Sequence, residues 1–287
     1  MNHKRMGLGA AALLLGAVAV GTVVTPKQPA KAAANMVPDY EVKLLMNPMV
    51  VLGSDHKLKS GVRSTFGMPD TVTKMNVQFM DTGDQDMYDA GWVARIRKME
   101  GEDDFELTYK KRYPISGGQI DAALTLANTE GFDATDTNYD AQVEWGYQNQ
   151  TLSISNDKTG KKSGYHGMDL PSASDSRDLL SDHVPGKLDD WLYNGWGEDM
   201  LDDSRKYGPV LAKRYTGTWS GIKTYIEIWP ILNAAGTGTD YIVEISFKTT
   251  SRTTAAQKHD DLIAYLQTQG WFLAQDSLKT QLIMDRY

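Results

Sequence analysis

Four stretches of the chain place polar or charged groups at every second residue. Asp39, Glu41 and Lys43 alternate with Tyr40, Val42 and Leu44. Arg95 and Arg97 alternate with Ala94 and Ile96. Glu106, Thr108, Lys110 and Arg112 share a third alternation. Glu244, Ser246 and Lys248 share a fourth, against Val243, Ile245 and Phe247. Side-chain direction in a strand repeats every two residues, so each stretch has one charged face and one apolar face. Two arrangements produce this pattern. In the first, the charged face is solvated and the apolar face packs inward. In the second, a closed barrel has a charged lumen and an apolar outer wall covered by helices. A solvated face would mix in more Ser, Asn and Gln, so the set of stretches favours the lumen. A barrel of about eight strands can enclose a small ligand.

The elements that must hold these residues follow from the same periodicity. Strand alternation runs through 39–46, 73–80, 92–98, 105–113, 141–147, 151–155, 210–216, 222–229, 241–248 and 279–285. Helical spacing appears over 117–128, over 175–193 with a break at Pro185-Gly186, and over 253–269, where Gly270 fits a C-terminal stop. Polar loops are expected at 129–140 and 156–175. No linker divides residues 35–287, which read as one mainly antiparallel β domain with added helices, not as βαβ repeats.

Residues 1–34 read as a secretory signal. A basic start at His3, Lys4 and Arg5 precedes an apolar run from Gly7 to Val24, and Ala32-Ala33-Ala34 fits a cleavage site. The competing reading is an uncleaved anchor, since the run approaches the lower length for a spanning helix. Nothing after residue 35 is long and apolar enough to span a membrane. Removing 1–34, which holds Lys4, Arg5, Lys27 and Lys31 and no acid, takes the formal charge of the 287-residue chain from −7 to −11. That acidic balance argues against a general nucleic-acid binder. There is no cysteine, which suits export and leaves oxygen ligands as the metal chemistry open to the chain. His56, His166, His183 and His259 show no metal-ligand spacing. The Gly236–Thr239 stretch lacks the lysine of a phosphate-binding loop, and Gly217–Gly221 is not a serine-hydrolase elbow. Trp191, Trp196, Trp219, Trp229 and Trp271 read as packing residues.

The order of these motifs resembles the CYTH superfamily, the triphosphate tunnel metalloenzymes. The family's N-terminal E-x-E-x-K is similar to Asp39-Tyr40-Glu41-Val42-Lys43. Its D-T…G…R-x-R stretch resembles Asp81-Thr82 leading through Gly91 to Arg95-Ile96-Arg97. Its L-T-x-K strand matches Leu107-Thr108-Tyr109-Lys110, and Ala212-Lys213-Arg214-Tyr215 resembles a family basic strand. Glu244-Ile245-Ser246 resembles a late E-x-E pair, Glu144 and Glu227 stand near further family acids, and Lys279 matches a terminal-strand lysine.

The resemblance implies eight antiparallel strands closing a tunnel, a phosphate-chain ligand such as tripolyphosphate or a nucleoside triphosphate, and Mg²⁺ or Mn²⁺. Lys43, Arg95, Arg97, Lys110, Arg214, Lys248 and Lys279 would bind phosphate, with arginine suited by its planar two-point fork. Asp39, Glu41, Glu244, Glu227 and Glu144 would hold the metal, and Glu41 and Lys43 would sit at the catalytic centre. The implied activity is that of an exported triphosphatase. Two departures stand out: Asp39 is one methylene shorter than the family Glu, and Ser246 replaces an acid. They keep open a non-catalytic polyphosphate- or nucleotide-binding module with a degenerate metal site. A nucleotide cyclase and a purely structural protein are further alternatives. The oligomeric state is not legible.

Overall fold

The computed structural model describes residues 33–276 and 279–287. The predicted signal segment lies outside the described residues, apart from Ala33 and Ala34. The elements run in the order β1 (Asp39–Met46), α1 (Pro48–Val51), α2 (Ser60–Thr65), β2 (Thr73–Asp81), α3 (Asp86–Asp89), β3 (Trp92–Met99), β4 (Phe105–Ile115), α4 (Ile120–Thr129), β5 (Asp140–Trp145) and β6 (Gln150–Gly160). Then follow α5 (Ala173–Ser181), α6 (Gly186–Asp189), α7 (Trp196–Asp202), β7 (Arg205–Trp219), β8 (Ile222–Leu232), β9 (Thr239–Thr249), α8 (Arg252–Thr268), β10 (Phe272–Leu273) and α9 (Lys279–Arg286).

The strands form a closed barrel. Its ring runs β1-β5-β6-β4-β3-β2-β7-β8-β9 and closes through antiparallel pairing of β9 with β1, while the two-residue β10 attaches to the far end of β1. The ring therefore has nine strands, not the expected eight. Strand direction cannot alternate all the way round an odd ring, so at least one neighbouring pair must run parallel. That pair is β1 and β5, with Glu41 level with Glu144.

Alternation sorts the side chains as the lumen reading requires. Val42, Leu44 and Met46 point outward and are buried, and so are Ile96, Leu107 and Tyr109. α8 covers β1 with Ala255, Leu262 and Leu266. It ends at Gly270 (φ +67°), where Gly270 N donates to Gln267 O and Trp271 N to Leu266 O, a helix stop that needs a left-handed residue. α5 is tied to the wall by Tyr109 Oη donating to Leu180 O (2.6 Å) and Gln78 Nε2 to Ser176 Oγ (2.7 Å). The expected break at Pro185-Gly186 separates α5 from α6.

Residues 279–285, expected as a strand, form helix α9 instead. The short run Leu282-Ile283-Met284 is ambiguous by period, and its neighbours Lys279, Gln281 and Arg286 are good helix formers. α9 buries Ile283 and Met284 against Phe79, Trp229 and Ile231. Met75, Val77 and Phe79 of β2 join that apolar cluster from the inner side of the wall, level with Met99, Arg97 and Arg95 of β3. The interior is thus divided between an apolar part closed by α9 and a charged cavity.

Candidate functional site

The charged cavity measures about 550 Å³. All twelve residues singled out above line it: Asp39, Glu41, Lys43, Arg95, Arg97, Lys110, Glu144, Arg214, Glu227, Glu244, Lys248 and Lys279. Eleven come from strands. Lys279 arrives from the first position of α9, not from a terminal strand.

Each strand delivers its share because the inward positions are two residues apart. Arg95 and Arg97 of β3 stand beside Thr108 and Glu106 of β4. Arg97 is ion-paired with Glu106. Arg95 donates through Nη2 to Thr108 Oγ1 (2.8 Å), and Thr108 donates to Asp157 Oδ1 of β6 (2.6 Å). Burial and the charge of Arg97 push Arg95 down to about 10, and its Nε is buried with no partner. Among the described residues Arg95, Arg112 and Lys248 make no ion pair within 4.0 Å. This wall therefore carries positive charge that its own acids do not cancel.

Glu144 of β5 binds two lysines at once. Its Oε2 accepts from Lys43 (2.7 Å), and its Oε1 accepts from Lys110 (2.9 Å) and Ser153 (2.9 Å). Burial alone would raise the Glu144 carboxyl, but Lys110, Lys43 and Arg112 hold it well below the usual carboxylate range. The two lysines respond in opposite ways. Burial would lower Lys43, yet Glu144, Glu41 and Glu244 raise it above its ordinary value. Lys110 is lowered by burial; Glu144 pulls it up, while Arg112, Lys43 and Arg95 add to the lowering. One carboxylate thus marks the boundary between a β1 side rich in acid and a β3–β4 side rich in cation.

At the α9 end the charges are matched. Glu227 of β8 accepts on Oε1 from Arg214 Nη2 (2.7 Å) and on Oε2 from Trp229 Nε1 (2.8 Å). Lys279 Nζ lies 2.7 Å from Glu244 Oε1 and 3.3 Å from Glu227 Oε2. Burial would raise Glu227, but Lys279 and Arg214 bring it down to about 2. Glu244 Oε2 is buried and unpartnered.

The donor set allows a test of the implied metal. Among the described residues no three acids or histidines converge as a ready ligand group. Glu144 and Glu227 have both oxygens engaged by lysine, arginine, serine or indole groups. Glu244 keeps one free oxygen, and Asp39 and Glu41 line the same cavity. Mg²⁺ is commonly held by one or two carboxylates together with substrate phosphates and water, and Glu244, Glu41 and Asp39 fit that sparse requirement.

Arg112, two residues past Lys110 on the face read from the alternation, also lines the cavity. Other lining residues were not singled out in the sequence. Asp140, Gln142 and Asp157 also face the cavity. With its amide oriented by its neighbours, Gln142 donates to Glu41 Oε2 and accepts from Lys248 Nζ, each at 3.0 Å. Trp229, expected as packing, also lines the cavity and donates to Glu227. Asp81 and Thr82 do not reach it. The Asp81 carboxylate accepts from the backbone N–H groups of Met87 and Tyr88 (3.0 and 2.9 Å), which shapes the turn into β3.

The fold resembles known structures. It is similar to HpAC1 from Hippeastrum, designated an adenylyl cyclase and described as revealing a dominant triphosphatase activity. That likeness has 13% identity, covers 86% of this chain and 96% of that one, and has a TM-score of 0.49. A structure from Bacillus halodurans, also designated an adenylate cyclase, gives 14% identity, 88% and 98% coverage and a TM-score of 0.48. The PH1819 protein of Pyrococcus horikoshii gives 13% identity, 85% and 98% coverage and a TM-score of 0.39. No family profile matches the sequence, and no curated protein matches it significantly.

Proposed function

We propose that this protein is an exported phosphohydrolase that binds a triphosphate or short polyphosphate in its tunnel and cleaves a phosphoric anhydride with Mg²⁺ or Mn²⁺. The reading makes it a triphosphate tunnel metalloenzyme. One observation carries it: Arg95, Arg97, Lys110 and Arg112 converge on one wall of an enclosed cavity, with more positive charge than the adjacent acids neutralise. A triphosphate carries about four negative charges near neutral pH, and a chain of phosphates matches cations spaced along strands. Arg95 has an unused Nε donor, and guanidinium forks can take two phosphate oxygens each.

Positioning and charge stabilisation supply most of phosphoryl-transfer catalysis. Arg95, Arg97 and Lys110 would hold the chain and stabilise charge on the leaving phosphate. Asp39, Glu41 and Glu244 would hold the divalent ion. Bound there, the ion would polarise a phosphoryl oxygen and lower the pKa of a water. Lys43, held protonated by Glu144 and Glu41, would neutralise charge beside the ion. Water would form the new P–O bond as the bridging P–O bond breaks. Export rests on the signal-like features of residues 1–34.

The test is release of inorganic phosphate from tripolyphosphate and from ATP with Mg²⁺ or Mn²⁺. Metal-dependent release that falls sharply in Glu41→Ala is expected. Equal turnover in that variant and the wild type would overturn the assignment of Glu41. A second reading, a binding module without turnover, is favoured by Ser246 and by the full engagement of Glu144 and Glu227. Tight tripolyphosphate binding by calorimetry, with no phosphate release in either metal, would select it.

A further inference from the structure

Arg95 and Arg97 occupy neighbouring inward positions of β3, yet they meet their acids in different ways. Arg97 stands opposite Glu106 of β4 and is ion-paired with it directly. Arg95 stands opposite Thr108 of β4, which in turn stands opposite Asp157 of β6. Arg95, Thr108 and Asp157 all line the cavity. Arg95 Nη2 donates to Thr108 Oγ1 at 2.8 Å, and Thr108 Oγ1 donates to Asp157 Oδ1 at 2.6 Å. A hydroxyl has a single proton but spare lone pairs. With the proton committed to Asp157, the oxygen turns a lone pair toward the guanidinium. The Asp157 carboxylate therefore reaches Arg95 through a hydroxyl and not by direct ion pairing. Thr108 is 3% exposed, whereas Asp157 is exposed. The Nε of Arg95 is buried without a partner.

From this we infer that Thr108 and Asp157 are positioning residues of the ligand site, a relay that fixes the Arg95 guanidinium while leaving most of its fork free for phosphate. The inference deepens the phosphohydrolase reading, on which it rests for the identity of the ligand. A guanidinium carries several N–H donors in a fixed plane. A carboxylate bound directly competes for the donors that phosphate would use in a bidentate contact. Arg97 must share or release Glu106 before it can bind phosphate in that way. A hydroxyl takes one N–H and brings no charge of its own, so Arg95 is held without being neutralised at contact. The carboxylate one step further out polarises the hydroxyl, and hydrogen bonds in such a chain strengthen one another. A guanidinium fixed before the ligand arrives loses little conformational freedom on binding. Arg95 is thus the preset phosphate contact, and Arg97 is the one that must exchange partners.

The experiment compares tripolyphosphate affinity, measured by calorimetry on the full chain, between variants of the two acids. By charge alone, removing an acid from a cationic wall tightens the binding of an anion. Glu106→Gln is expected to do so by about threefold. Asp157→Ala is expected to do the opposite and weaken binding at least about threefold, because Thr108 loses its orientation. Equal or tighter binding in Asp157→Ala, or a loss in Glu106→Gln as large as in Asp157→Ala, overturns the inference. Thr108→Val removes the hydroxyl at nearly constant volume and is expected to weaken binding about tenfold, while Thr108→Ser stays within about twofold of the wild type. Equal losses in the Val and Ser variants would contradict the relay. A second readout needs no ligand. The Arg95 side-chain N–H signals in ¹⁵N-arginine spectra, assigned with Arg95→Lys, are expected to show hindered guanidinium rotation in the wild type. That hindrance should be lost in Asp157→Ala, whose exposed position keeps the fold out of the comparison, and unchanged signals there overturn the inference. Failure of the wild type to bind tripolyphosphate would remove the proposed function, while the spectra would still decide whether the relay holds Arg95.

Discussion

Two parts of one tunnel handle charge in opposite ways. On the β3–β4 wall, Arg95 and Arg112 make no ion pair, Arg97 reaches Glu106 at the rim, and Lys110 shares Glu144 with Lys43. At the β8–β9–α9 end, Glu227, Glu244, Arg214 and Lys279 form a closed set in which each acid has a cation. Both regions come from the same alternation of strand residues. The difference lies in what arrives from elsewhere: α9 brings Lys279 to ion-pair with both acids of the second region, whereas β5 and β6 bring Glu144 and Asp157 to the first and still leave Arg95 and Arg112 without an ion pair. Uncancelled charge at low dielectric persists where a ligand can cancel it, whereas matched charge contributes to the fold. Under the proposed function the first region would be the ligand's, and the second is a matched set of charges.

Breaking the cationic wall has the largest expected effect. Each charge-assisted hydrogen bond is worth about 1.5–3 kcal/mol. Replacing both Arg95 and Arg97 by Ala is expected to weaken tripolyphosphate binding by at least about a hundredfold. Calorimetry checks this, and circular dichroism confirms the fold. Unchanged affinity would place the ligand elsewhere.

Glu144 sits on the boundary, and neutralising it separates the two roles. Glu144→Gln leaves Lys43 and Lys110 without a counter-charge and is expected to lose about 3 kcal/mol of stability in urea unfolding. The same change should tighten tripolyphosphate binding, because two more cations become free. A variant that is destabilised and also binds more weakly would contradict the division between the regions.

The matched end should reveal itself in acid. The Glu227 carboxyl lies at about 2 in the folded protein against an ordinary 4.5. A depressed acid contributes stability that is fully present above its unfolded value. That stability is lost as pH falls through the folded value. Thermal unfolding is expected to lose about 3 kcal/mol from this group between about pH 4.5 and about pH 2. Glu227→Gln should flatten that part of the profile.

The smallest effect is expected outside the tunnel. Lys74 and Glu100 form an ion pair with side chains 43% and 38% exposed. Lys74→Ala should change stability by less than about 1 kcal/mol and leave phosphate affinity unchanged. A large effect there would remove the distinction between luminal and surface charge.

The cationic wall was the more legible region. Arg95, Arg97 and Lys110 declare their shared face by strand period alone, and Arg112 follows from the same rule. The partners that complete the site are less readable. Lys43 and Glu144 meet from positions 101 residues apart, through a parallel β1–β5 contact that follows from closing an odd ring. No local pattern encodes that closure. α9 was misread because Leu282-Ile283-Met284 is too short a run to reveal its period, and its burial depends on a barrel interior already built. The link from Trp229 to Glu227 depends on a side-chain rotamer, which strand spacing does not set.

The most direct test of the central claim is a crystal structure of the protein with tripolyphosphate. The account predicts phosphate groups inside the tunnel, within hydrogen-bonding distance of Arg95, Arg97 and Lys110. Density for the phosphate chain on the outer surface, or an empty lumen at saturating ligand, would contradict it.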